Sequence, residues 1–169
     1  ADFLSGRSGT WQISGGRYEG AGTASGDAIS TLDGPVPLPA DLKVAATING
    51  DPSGGGLKSN AVLVFDFVSP NKFKYAGAFF GSDQWRIGHV SGGTWVTDAA
   101  VSGSIATLTD YDLEVYLEGT QARLAAGGVV QGSYDFAEPL TDNQVGLGTH
   151  NAVARCDDVA VEALVGGSP

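Results

Sequence analysis

The chain has no methionine, one cysteine and two histidines in 169 residues, and its 9 lysines and arginines are outnumbered by 19 aspartates and glutamates. Each shortage excludes something. A single thiol, Cys156, permits no intrachain disulfide and rules out the small disulfide-rich secreted class. Its setting in "RCDDVAV" reads as a strand, where a lone thiol serves as a small buried hydrophobe. No run approaches the roughly 18 apolar residues of a membrane span, and no signal-peptide pattern is visible. The net charge of −10 repels phosphate backbones, so nucleic acid is not an expected partner. No segment sustains helical periodicity over three turns. The start at Ala1, the missing methionine and the closing "VGGSP" together read as a piece excised from a longer polypeptide. On this reading residues 1–164 form one domain and 165–169 a linker-like tail.

What the chain does have is 26 glycines, with Pro, Ser, Asn and Asp clustered between short apolar or alternating runs. About thirteen such runs, from Thr10–Ser14 to Ala154–Glu162, predict an all-β antiparallel sandwich of some 12–14 strands. "LEVYLEGTQARLAA" folds as a hairpin at Gly119-Thr120, turning Leu113, Val115, Leu117, Ala122 and Leu124 inward. Tyr116 then faces Arg123 across the strands on the solvated side. Gly127-Gly128 suits a second two-residue turn, where both positions take positive φ. Pro35, Pro37 and Pro39 belong to an extended surface connection, because proline cannot donate to a central ladder. The glycine-rich loop from Asn49 to Asn60 carries no G-x-x-x-x-G-K-[ST] motif and precedes no helix, which excludes a phosphate cradle.

Rings and positive charges gather in "KFKYAGAFFGSDQWRIGHVSGGTW", residues 72–95. This stretch holds six aromatic residues, including two of the three tryptophans, and three of the nine basic residues. With Ala61–Val68 before it, it reads as a four-stranded meander at the centre of one sheet. Alternation sets Phe73, Tyr75, Gly77 and Phe79 against Lys72, Lys74, Ala76, Ala78 and Phe80. In the next strand it sets Trp85, Ile87 and His89 against Gln84, Arg86 and Gly88. A buried unpaired charge is costly, so the expectation is that the rings enter the core. The face with Lys74, Gln84 and Arg86 would then meet solvent or a ligand, with Ala76, Ala78 and Gly88 flooring a shallow groove. A solvated face without a ligand fits the same pattern.

The segment "GLKSNAVLVFDFVSPNKFKYAGAFFGSDQWRIGHV" (56–90) resembles the laminin-G-like, concanavalin A-like lectin/glucanase domains of large bacterial secreted or surface proteins, adhesins among them. "GTWQISGGRYEG" (9–20) and "QVGLGTHNAVARCDDVAVE" (144–162) resemble that family's opening and closing strands. The resemblance implies a jelly-roll sandwich in a secreted or cell-surface setting, among neighbouring domains of a longer chain. It implies a sheet that binds carbohydrate, and a structural calcium near the first and last strands, which makes Asp2, Asp157 and Asp158 the metal candidates. Acidic loops have a plainer reading as well, as solubilising turn formers. No D-x-[DN]-x-[DN]-G loop is present.

The resulting expectation is a non-catalytic glycan-binding module using Lys58, Asn60, Lys74, Gln84 and Arg86, with Trp95 as a stacking platform. A peptide ligand bound through its carboxylate, or a spacer with no ligand, are the alternatives. Catalysis is disfavoured: the glucanase signature E-x-D-x-x-E and the G-x-S-x-G elbow are both missing. The nearest string, "DLEVYLE", places Asp112, Glu114 and Glu118 on a solvated face of the other sheet. Asp66, on the Val62 and Val64 face, reads as a hydrogen-bonded structural acid, and His89 and His150 as histidines of the strand ends.

Overall fold

Strand β5 (Asp41–Gly50) alternates half-buried and buried side chains along its whole length, the period-2 signature of a strand packed on one face. Its inward residues Leu42, Val44 and Ile48 meet Leu113, Val115 and Leu117 of β10 (Tyr111–Glu118) and Leu124 of β11 (Gln121–Ala126), all essentially inaccessible to solvent. The computed structural model describes residues 4–164, so the proposed tail at 165–169 lies outside the described residues.

Among the described residues fourteen strands form two seven-stranded sheets, and every pairing is antiparallel. The remaining strands are β1 (Leu4–Ser8), β2 (Thr10–Ser14), β3 (Arg17–Ala21), β4 (Ala28–Leu32), β6 (Asn60–Ser69), β7 (Lys72–Phe79), β8 (Gln84–Ser91), β9 (Thr94–Ser102), β12 (Val129–Asp135), β13 (Gln144–Thr149) and β14 (Val153–Ala163). One sheet runs β1-β4-β13-β6-β7-β8-β9, the other β12-β11-β10-β5-β14-β3-β2. The expected meander is present as β6 to β9, and the expected hairpin as β10 and β11. In that hairpin Tyr116 pairs with Arg123 and the guanidinium lies 4.4 Å from the ring centroid. Gly127 and Gly128 take the positive φ their turn requires. Strand β1 was not foreseen. "LSGRS" has no alternation, and the strand exists because it completes the edge beside β4. There Gly9, at φ +73°, passes so close that a Cβ would sit 2.5 Å from that of Ala28.

The core between the sheets is built from Leu63, Phe65, Ala76, Ala78 and Ile87 on one side and the β5, β10 and β11 residues on the other. Cys156 is buried there, and desolvation pushes its thiol up to about 12. The orientation expected for β7 is reversed. Ala76 and Ala78 face the opposite sheet, while Phe73, Tyr75 and Phe79 point outward and form a cluster of their own with Ile29, Val62, Val64, Phe67 and Val90. Alternation separates a strand's two faces but does not say which one meets the second sheet. Here the small side chains face the large residues opposite.

Candidate functional site

The outward cluster supports a tryptophan. Trp95 of β9 packs edge-to-face on Phe73, with centroids 5.5 Å apart, and leans on Tyr75 at 4.6 Å. Its indole Nε1 donates to Asp27 Oδ2 at 2.7 Å, and its ring stacks on His150 at 4.4 Å and 26°. His150 Nδ1 is 2.7 Å from the other oxygen of Asp27, which also accepts the Asn151 N–H at 3.2 Å. Burial works against charge on Asp27, but the bonds from His150 and Trp95 outweigh it and hold the carboxyl below the usual range. One carboxylate therefore fixes the orientation of two stacked rings.

Beside these rings opens a cavity of about 480 Å³ bounded by Lys58, Tyr75, Phe79, Arg86, Trp95 and His150. The Arg86 guanidinium lies over the Phe79 ring, 4.5 Å from its centroid, and donates to Gln84 Oε1 at 2.9 Å and Ser82 Oγ at 3.0 Å. Tyr75 is 1% exposed and its hydroxyl donates to the Val96 carbonyl at 2.8 Å; burial pushes its phenol upward. Gly88 lies beneath it, and a Cβ there would sit 2.5 Å from the Tyr75 oxygen and 2.0 Å from the Val96 oxygen. No larger residue fits without parting β8 from β9.

Among the residues expected to bind, Lys58, Asn60, Arg86 and Trp95 meet at this cavity, and Gln84 braces Arg86 from the side. Asn60 is 1% exposed: its amide donates to the His150 carbonyl and accepts from the Thr149 hydroxyl and the His150 N–H. It lines the cavity with its side-chain amide already engaged within the protein. Lys74 is on the opposite face. Strands β7 and β8 pair Gly77 with Arg86 and Lys74 with His89, so Lys74 and Arg86 cannot share a side. Lys74 Nζ instead meets Asp66 at 2.5 Å and Glu138 at 2.6 Å at the seam between the sheets. A charge was expected to mark solvent, but here two carboxylates satisfy it at an 8% exposed position. Asp66 itself is the extra residue of a bulge at φ +48°, so Phe67 rather than Asp66 joins the Val62 and Val64 face. Of the expected groove floor, only Gly88 is on the cavity side. Alternation alone sends Tyr75 and Phe79 to the core, and no sequence pattern pairs Asp27 or His150 with Trp95. Register arithmetic across the Phe79–Gln84 connection would have placed the rings with Arg86; nothing local links Asp27 to His150, 123 residues away.

Asp2 lies outside the described residues. Asp157 and Asp158 are exposed on the β14 bulge, Asp157 Oδ1 accepts the Asp158 N–H at 2.9 Å, and both lie in the field of the Arg17 guanidinium. Among the described residues, no three His, Cys, Asp or Glu side chains converge to hold a metal. Calcium takes roughly six to eight oxygens, so these two carboxylates do not by themselves fit it.

The acids of "DLEVYLE" are engaged elsewhere, on the outer face of the second sheet: Asp112 with Thr47, Glu114 with Lys43 and Glu118 with Arg123. A second cavity of about 290 Å³, at the sheet seam, is lined by the Lys74–Asp66 pair, His89, Asp98 and Phe136. His89 Nδ1 is bound to Asp98 at 2.6 Å.

No family model matches the sequence, and no curated protein does. Solved structures do. A carbohydrate binding module, CBM66, from Bacillus subtilis superposes with a TM-score of 0.82 at 17% identity, over 95% of this chain and 96% of that one. A xylan beta-1,4-xylosidase from Bacillus halodurans matches with a TM-score of 0.63 at 14% identity, over 87% of this chain but 33% of the enzyme. A galectin from Caenorhabditis elegans gives 0.52 at 13% identity, over 78% of this chain and 95% of the galectin. What this chain shares with these proteins is the fold, an antiparallel jelly-roll β-sandwich.

Proposed function

We propose that this chain is a non-catalytic carbohydrate-binding module, and that its glycan occupies the cavity beside Trp95. One observation carries the reading: a half-buried indole, fixed by Asp27 and stacked on His150, stands at the edge of a cavity furnished with Arg86 and Lys58. Apolar faces of sugar rings stack on indoles, while guanidinium and ammonium groups fix hydroxyl or carboxylate orientation. Because the indole and guanidinium are already held in place, binding has little side-chain entropy left to lose. The superposition on a carbohydrate binding module supports the same reading. A laminin-G-like place in a secreted or surface protein, in the manner of an adhesin with neighbouring domains, belongs to this proposal. So does a structural calcium involving Asp2, Asp157 and Asp158.

The test is a glycan array probed with the labelled chain, with calcium and again with chelator, beside a Trp95→Ala variant of unchanged melting temperature. Saturable binding to a related group of sugars, lost in the variant, is the expected result. Silence from folded protein across the array refutes the glycan reading and favours a peptide ligand or a spacer. An identical melting curve in chelator refutes the structural calcium.

A further inference from the structure

Six of the nine lysines and arginines have a carboxylate within ion-pair distance: Arg7, Arg17, Lys43, Lys74, Arg123 and Arg155. Among the described residues only Lys58, Lys72 and Arg86 do not, and two of these three stand at the Trp95 cavity. In a chain with more than two acids for every base, that is a selective vacancy. Arg86 is held, but by uncharged partners: the Gln84 amide, the Ser82 hydroxyl and the Phe79 ring. These fix the guanidinium and use two of its five N–H donors without neutralising it. Asp27, the acid of the site, has both oxygens occupied by Trp95, His150 and Asn151. The cavity therefore presents two cations without a carboxylate partner in a protein whose net charge is −10.

We infer, building on the glycan reading, that the sugar is anionic: a saccharide bearing a carboxylate on its ring, a uronic acid unit, seated against Trp95 with its carboxylate on Arg86 and Lys58. A planar guanidinium fork matches a carboxylate with two parallel hydrogen bonds, and Lys58 adds a mobile second charge at the rim. A neutral sugar would leave both cations uncompensated. The protein's overall negative charge then acts as a filter, because an anionic polymer is repelled by the chain as a whole and is held where Arg86 and Lys58 stand together.

The experiment compares an oligouronide with its methyl ester, of equal length and linkage, by calorimetric titration of the intact chain. The acid is expected to bind about tenfold more tightly than the ester, the scale of a charge-assisted pair. That preference should shrink toward parity in about 0.5 M salt, where the screening length falls to a few ångströms. Arg86→Gln should bring the ratio close to one. Should that variant lose its fold, the exposed Lys58→Gln serves in its place, with a smaller fall in the ratio. Equal affinity for acid and ester overturns this inference and leaves the glycan reading standing. No binding of either, by protein that also binds no other glycan, removes both. A peptide with a terminal carboxylate that binds as tightly as the oligouronide overturns the saccharide class.

Discussion

Lys74→Met separates a structural charge from a binding one. The lysine and Asp66 side chains are 10% and 12% exposed, whereas Glu138 is 59% exposed. Removing one member of a buried pair costs about 3–5 kcal/mol, because the other is left charged and dry. Asp66 would keep its bond from Asn143 at 2.8 Å, and Glu138 can turn to water, which places the loss near the lower end, about 3 kcal/mol. For a chain of this length that is a fall in Tm of roughly 6–12 °C. Burial of the ammonium opposes its charge, but the bonds to Asp66 and Glu138 outweigh it and raise the Lys74 pKa. A raised lysine pKa means that the stabilisation is complete below the ordinary value of about 10.4 and is lost as pH climbs through the folded value. Wild type should therefore lose stability in that alkaline range, and Lys74→Met should not show that fall. Circular dichroism melts from pH 7 to 11 read both, and Asp66→Asn combined with Lys74→Met should cost less than the two singles together. Glycan binding by the variant should be unchanged. A loss below about 1 kcal/mol would show a solvated pair of the surface kind. Lost binding at full stability would put Lys74 back in the binding groove and refute the register argument.

Gly88→Ala should destabilise by about 1–3 kcal/mol in urea titrations, since its Cβ would collide with the Val96 carbonyl and the Tyr75 hydroxyl; a neutral result would mean β8 and β9 separate freely. Asp27→Asn should shift Trp95 emission, because one amide oxygen cannot accept from both the indole and His150. The depressed carboxyl of Asp27 stabilises above the ordinary value of about 3.9, and that contribution is lost as pH falls through the folded value, so the acid limb of the melting profile should be shallower in the variant. Cys156 should resist iodoacetamide at pH 8 until denaturant is added, in keeping with a buried thiol whose pKa lies near 12; rapid native labelling would contradict the packing of β14.

The hairpin of β10 and β11 was legible down to the Tyr116–Arg123 contact because its turn, its alternation and its charges agree in one short segment. The meander was legible in order but not in orientation. Ala76 and Phe79 differ in size, yet size does not tell which face meets another sheet when both faces are covered. The sign of that choice comes from β5 and β10, more than twenty residues away on either side. Lys58, Arg86 and Trp95 were found as polar or aromatic side chains near one meander. Asp27 and His150 were not, because their meeting depends on β4 and β13 lying side by side, a pairing of distant segments. The fate of Lys74 turned on a carboxylate delivered by a backbone irregularity, and neither alternation nor composition announces a bulge.

Such irregularities occur on both flanks of the β7–β8 pair. In β6 the ladder slips at Asp66, so Phe65 enters the main core and Phe67 the outer cluster, although only one residue separates them. In β9 it slips at Asp98, so Thr97 borders the cavity while Ala99 packs toward the main core. Each slip acts as a phase change in a two-letter code: beyond it, every inward letter becomes outward. Deleting either aspartate would leave Phe65 and Phe67, or Thr97 and Ala99, on their present sides, because the bulge is what absorbs the extra residue. The two bulges thus let each flanking strand carry an added residue without moving the ring-bearing face, a tolerance of insertion that a regular ladder lacks.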